Sequence, residues 1–237
     1  MGRVRASHIC WDLDETLGCF RDYSCLRMTP GIKPLLEGLR RAGLHHVVTT
    51  AGSAEHADYV LQASGIRGLF EGIFDYTRIC DAHFNKYYSI VASSLGITPL
   101  EAPHRMLVVG NLERDAPADL DLTFIMHPMG AKYSSRVYLA AIGGLLSASD
   151  SWADAHAIMG AGSSPIPMGY FEGGLISVEG VRLAVGRSFW NPRPGKTSDR
   201  IVAVLDSPDR MRIKKEDYSA CTVPLTVATA SLSGASG

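Results

Sequence analysis

Short apolar runs alternate with amphipathic stretches along the first 147 residues. The run Ser7–Trp11 reads as a strand that leads directly into Asp12. Pro30 stands where a helix begins; Leu35, Leu36 and Leu39 then share one helical face, and Gly43 is the stop. Val47–Thr50 is a second strand. A helix from about Ser53 follows, with Ala54, Ala57, Val60 and Leu61 inward and Gly65 at its end. Ile73–Tyr76 reads as a third strand, ahead of a helix carrying Ile90, Val91 and Leu95. Met106–Val109 is a fourth, ending at Gly110, and Leu122–Ile125 is a fifth. Strand and helix in this rhythm predict crossover units, hence an α/β fold: a Rossmann-like, doubly wound parallel sheet with helices on both faces. Ligands of such sheets sit at the carboxyl ends of the strands. Asp12, Thr50 and the Gly110–Asn111 turn all follow strands directly.

After Ser147 the texture changes. A Gly-, Ser- and Pro-rich stretch over 160–174 reads as linker, and 175–185 and 201–205 read as strands separated by turns. The expected organisation is a catalytic core over 1–147, a linker with a small β-rich C-terminal appendage over 148–225, and a disordered tail over 226–237, where there is little to bury. No internal repeat is visible.

Composition narrows the partners. The chain has 237 residues, 46% hydrophobic, and a formal net charge of −1, which gives no whole-chain argument for a nucleic acid or an anionic membrane. Five cysteines without a CxxC pair show no zinc-ligand spacing, and their odd number in a chain this long argues against a disulfide framework. With no apolar stretch at the N-terminus, and Val137–Leu146 too short to span a bilayer, the expectation is a cytoplasmic protein without membrane partners. A mild basic bias from Arg182 to Lys215, with Phe189 and Trp190 inside it, leaves nucleic acid open as a partner; a solvated face is the plainer reading. His8, His45 and His46 are not spaced with acids as metal ligands are.

The chemistry concentrates at Asp12-Leu-Asp14-Glu-Thr16. Two carboxylates two residues apart on an extended chain point the same way. One can attack phosphorus while the other protonates the leaving oxygen and then activates water. Crowded negative charge of this kind calls for a divalent cation. Solvated acids in a turn would show the same pattern.

Three further motifs follow in order: Val47-Val-Thr-Thr50-Ala-Gly, Phe84-Asn-Lys86-Tyr-Tyr, and Val108-Val-Gly110-Asn111-Leu-Glu113-Arg-Asp115. In these four motifs, over roughly residues 4–130, the sequence resembles the haloacid dehalogenase-like hydrolase superfamily. The resemblance implies that Asp12 is the nucleophile and Asp14 the general acid and base. Thr50, preferred over Thr49, would donate to a phosphoryl oxygen, and Lys86 would neutralise the same group. It further implies Mg2+ held by Asp12, the backbone carbonyl of Asp14, and Asn111 with Asp115. Thr50 as a helix cap and Lys86 as a surface lysine are the rival readings.

Asn111 departs from the pattern, because the family usually has an aspartate there; Glu113 and Asp115 are close enough to compensate. Asp14 excludes the simplest dehalogenase, and the signature of ion-pumping relatives is missing. The implied activity is a Mg-dependent phosphomonoester hydrolase (phosphatase). Alternatives are a catalytically weak or inactive phosphate-binding or regulatory module and a nucleic-acid end-processing phosphatase. Glu15–Pro30 has room for a small flap but not a cap domain, so a capless, open site is expected. Its phosphorylated substrate can be a small molecule or a macromolecule.

Overall fold

The computed structural model describes residues 5–20, 26–126, 135–158, 171–178, 181–188, 203–207, 210–213 and 224–225. In chain order the elements are β1 (His8–Trp11), β2 (Gly18–Cys19), β3 (Arg27–Met28), α1 (Ile32–Arg41), β4 (His45–Thr49), α2 (Ala54–Ala63) and β5 (Gly72–Phe74). Then come α3 (Tyr76–Ile79), α4 (Tyr88–Ser94), α5 (Ala102–Arg105), β6 (Met106–Gly110), β7 (Thr123–Met126), α6 (Arg136–Ala148) and α7 (Trp152–Ile158). The C-terminal third contributes β8 (Phe171–Val178), β9 (Val181–Ser188), β10 (Ala203–Ser207), β11 (Arg210–Ile213) and β12 (Pro224–Leu225).

β7, β6, β1, β4 and β5 lie side by side in that order, all parallel, with β1 in the centre. A strand flanked on both sides and covered on both faces must be apolar throughout. His8, Ile9, Cys10 and Trp11 are all buried. Side chains alternate between the two faces. Ile9, Trp11, Val48, Leu107, Val109 and Ile125 join one core with Leu36 and Leu39 of α1, Val60 and Leu61 of α2, Tyr138 and Ile142 of α6, and Trp152 of α7. Their neighbours Cys10, Val47, Met106, Val108 and Phe124 pack on the other face with Ile79 of α3, Tyr88 and Val91 of α4, and Ala102 of α5. Two helical layers over a parallel sheet are thus present.

The predicted helices and strands of the first 130 residues occupy their expected places to within a few residues. α1 starts at Ile32, two residues past Pro30, and Gly43 follows it at φ 87, a left-handed conformation that glycine adopts freely. Helix α6 was read from sequence only as a run too short for a membrane, and α7 was not foreseen. Among the described residues no helix is long and apolar enough to cross a bilayer. The β-rich stretch attaches to the core sheet itself: β9 pairs antiparallel with β7, β8 with β9, and β12 lies parallel to β8. β10 and β11 form a separate two-stranded ladder. The expected tail over 226–237 and most of the expected linker over 160–174 lie outside the described residues. The same holds for the side chains of the basic segment Arg182–Lys215.

His46 shows how a polar residue is accommodated in this core. Its ring is fully buried, with Nε2 3.0 Å from the Leu36 carbonyl and Nδ1 3.2 Å from Trp11 Nε1. Trp11 Nε1 only donates, so Nδ1 accepts, Nε2 carries the proton, and the ring is neutral. Burial holds its pKa down at about 4, and burial does the same to His8. Because the unfolded chain then binds more protons, stability is full above about pH 6.5 and falls as pH drops towards 4. For His46 alone the loss is on the order of 3 kcal/mol. Urea midpoints measured from pH 4.5 to 7 should therefore rise with pH, and His46→Gln should flatten the slope. An unchanged slope in that variant would show that His46 is not the group titrating.

Candidate active site

The carboxyl ends of β1, β4 and β6 open onto one cleft of about 270 Å³, lined by Asp12, Asp14, Glu15, Thr50, Ala51, Gly52, Asn111, Leu112, Arg114 and Asp115. Asp12 follows β1, and its N–H continues the sheet by donating to the Val109 carbonyl at 2.9 Å. The residue is only 6% exposed. One oxygen, Oδ1, accepts from Lys86 Nζ at 2.7 Å; the other, Oδ2, accepts from the Thr16 hydroxyl at 3.2 Å. Asp14, two residues on, lines the same cleft, half-buried, and forms a bridge with Gly18 at the start of β2.

Lys86 is a fully buried cation. Its Nζ lies 2.7 Å from Asp12 Oδ1, 2.7 Å from Asp115 Oδ1 and 2.6 Å from the Thr49 carbonyl. An ammonium has three protons to donate, and three acceptors meet it here. Its backbone is pinned by bridges to Cys80 and Pro117 and by the Ala118 N–H. Burial works against the ammonium charge, but the Asp115 and Asp12 carboxylates outweigh it and raise the pKa above the ordinary lysine value. Burial, Asp115 and Asp14 push Asp12 up to about 7, and Lys86 opposes them.

Strand alternation separates the two threonines that end β4. Thr49 turns inward, its hydroxyl 3.3 Å from Tyr88 Oη, whereas Thr50 lines the cleft. The Thr50 hydroxyl accepts from the Gly52 N–H at 2.9 Å, which leaves its own proton to donate into the cleft. The N-cap of α2 is Ser53, whose side chain accepts from the His56 N–H, so Thr50 is not the cap.

The loop after β6 folds onto Asp115, whose Oδ2 accepts from the N–H groups of Asn111 at 3.1 Å and Leu112 at 2.8 Å. A Cβ on Gly110 would come within 2.5 Å of the Asp115 Cβ, so only glycine permits this closure. Turned nitrogen-inward, the Asn111 side-chain amide donates to Asp12 Oδ2 and Asp115 Oδ2, both at 3.2 Å. Turned the other way, its oxygen joins theirs. The residues present therefore fit a small hard cation, which takes oxygen donors at close quarters. The third donor is an amide, and among the described residues no group of three or more His, Cys, Asp or Glu gathers as a metal site. The Glu113 side chain lies outside what is described.

The structure thus brings Asp12, Asp14, Thr50, Asn111 and Asp115 to one cleft, with Lys86 directly beneath Asp12 and Asp115. Sequence reasoning gave no role to Thr16, although its hydroxyl reaches the Asp12 carboxylate four residues back. It also overlooked Tyr88, which donates to the Asp115 carbonyl at 3.0 Å, and Arg114. The four-residue interval within the Asp12–Thr16 turn was the one signal available for Thr16. None marked the other two.

Residues 4–118 match the profile of haloacid dehalogenase-like hydrolases. No curated protein matches the chain. Solved structures similar to it include a predicted phosphoglycolate phosphatase of Haemophilus somnus, 24% identical, covering 38% of this chain and 38% of that one, with a TM-score of 0.33. A haloacid dehalogenase-like family hydrolase of Streptococcus pneumoniae is 15% identical, covering 46% of this chain and 78% of that one, at 0.34. Another from Xanthomonas campestris is 16% identical, covering 46% and 76%, at 0.30. The present chain spans well under two thirds of the Haemophilus protein.

Proposed function

We propose, from the premise that residues 4–118 belong to the haloacid dehalogenase-like hydrolases, that the chain is a phosphatase acting on phosphomonoesters through Asp12. The arrangement that carries this reading is the buried Asp12 carboxylate, held 2.7 Å from Lys86 Nζ, in the same cleft as Asp14 and Thr50. An Asp12 oxygen attacks phosphorus and forms an aspartyl-phosphate as the ester P–O bond breaks, and Asp14 gives its proton to the leaving oxygen. Asp14, now ionised, takes a proton from the water that attacks the same phosphorus. Inorganic phosphate leaves and the Asp12 carboxylate is restored. Thr50 donates its free hydroxyl proton to a phosphoryl oxygen, and Lys86 with Thr16 fixes the orientation of the nucleophile. Asp12, the Asp14 carbonyl, Asn111 and Asp115 would hold magnesium, which would supply the positive charge that lets a phosphate approach these acids. The substrate is a phosphorylated small molecule or macromolecule.

Asn111 supports a second reading, a module that binds phosphate or metal without turnover. Nitrogen-inward, its amide satisfies both carboxylates by itself. Release of phosphate from an aryl phosphate, lost with chelator and restored by magnesium, is the expected result for a phosphatase. Asn111→Asp should lower the half-saturating magnesium concentration about tenfold, since each added ligand charge tightens such sites. Turnover in that variant but none in the natural chain would favour the binding module instead.

A further inference from the structure

We propose that Arg114 is the side chain by which this cleft anchors the anionic group of its substrate, and that Phe84 positions it. The inference rests on the phosphatase reading and deepens it by assigning a further cation, a side chain lining the cleft, to the phosphoryl group.

The charge balance of the cleft motivates it. Four carboxylates line the space, those of Asp12, Asp14, Glu15 and Asp115. Lys86 offsets them from beneath, but its three protons are already directed at Asp12, Asp115 and the Thr49 carbonyl at 2.6–2.7 Å. It is also fully buried and does not line the cleft. Among the described residues lining the cleft, Arg114 is the one with a cationic side chain. A guanidinium presents its donors as a flat fork that matches two oxygens of a phosphoryl group, and it stays charged at any working pH.

Phe84 supplies a second, independent sign of construction. It is a bulky residue at φ 62, where side chains rarely sit, and its ring is 42% exposed. The strained turn is held by Asp81, whose carbonyl accepts from the Phe84 N–H at 3.0 Å. The Asp81 carboxylate takes the N–H groups of His83 and Asn85 and the Asn85 side-chain amide. The result is an aromatic face with the Arg114 guanidinium carbon 6.0 Å from its centroid, at the outer range of a cation–π contact. One short segment, 81–86, thus seats one cation inside the fold against Asp12 and props another at the cleft mouth.

The test measures KM and kcat for an aryl phosphate and the inhibition constant of inorganic phosphate in the natural chain, Arg114→Ala, Arg114→Lys and Phe84→Ala. Losing a charge-assisted contact should raise both KM and the phosphate inhibition constant about tenfold or more in Arg114→Ala, with kcat changed far less. Arg114→Lys should recover part of this, and Phe84→Ala should fall between. KM and inhibition constant unchanged in Arg114→Ala, with turnover normal, would overturn the anchor and leave the phosphatase standing. A thermal shift with inorganic phosphate separates the opposite failure. Stabilisation of the natural chain but not of Arg114→Ala, in a protein that hydrolyses nothing, would keep the anchor and remove the enzymatic reading. Equal stabilisation of both would remove the anchor.

Discussion

Asp12→Asn is expected to lower kcat for phosphate release by about 10⁴-fold or more, the scale seen when a nucleophile is removed from a covalent mechanism. The substitution preserves shape. An amide oxygen can still accept from Lys86 Nζ, and Asp115, 2.7 Å from the same nitrogen, still neutralises the lysine. The fold should therefore survive, and the loss should appear in kcat. An amide oxygen is a far poorer nucleophile than a carboxylate. Asp115 is engaged with Lys86 and two backbone N–H groups, and Asp14 is assigned to proton transfer. Intact-mass measurement of rapidly quenched enzyme should find a phosphorylated species in the natural chain and none in the variant. A variant retaining a tenth of the activity would place the nucleophile elsewhere.

The legible part of this site was the part that local chain geometry determines. A parallel strand buried on both faces is a short apolar run, so the first polar residue after it marks where a site begins; Asp12 and Thr50 both stand there. Thr50 was preferred over Thr49 because Ala57, seven residues on, falls where the resemblance puts an alanine in the following helix; the alternation of side chains along β4 is what parts the two in the fold. What stayed hidden depends on contacts between distant segments. The Tyr138 hydroxyl donates to the Thr16 carbonyl at 3.1 Å across 122 positions, and so ties α6 to the turn that follows Asp12. A helix of mostly small and apolar residues gives no hint of such a contact in its own pattern. Lys86 was legible as a cation near a helix start, but not as a group enclosed by three acceptors. That enclosure is created when β1, β4 and the loop after β6 converge. Arg114 lay inside a quoted motif, yet nothing in the spacing told whether it would face solvent or the cleft.

Lys86→Met should cost about 3–5 kcal/mol of folding stability near pH 8, the range for a buried ion pair that loses one partner. Methionine fills a similar volume, so packing changes little and the effect is mainly electrostatic. Without the ammonium, Asp12 and Asp115 face each other in a region 6% and 1% exposed, joined by Asn111 alone. Two buried carboxylates deprived of their common cation relieve the strain by taking up a proton. Lys86 is the contribution that holds Asp12 down, so its removal raises the Asp12 pKa above about 7. A carboxyl whose folded pKa lies above its unfolded value keeps its stability contribution at low pH and loses it as pH rises. The deficit relative to the natural chain should therefore be smaller at pH 5 than at pH 8, as read from urea unfolding at both. Adding Asp115→Asn to Lys86→Met should recover part of the deficit at pH 8, because it removes one of the two unpaired charges. A deficit equal at the two pH values, or no recovery in the double variant, would mean that Lys86 stabilises the fold by packing and not by neutralising the surroundings of Asp12.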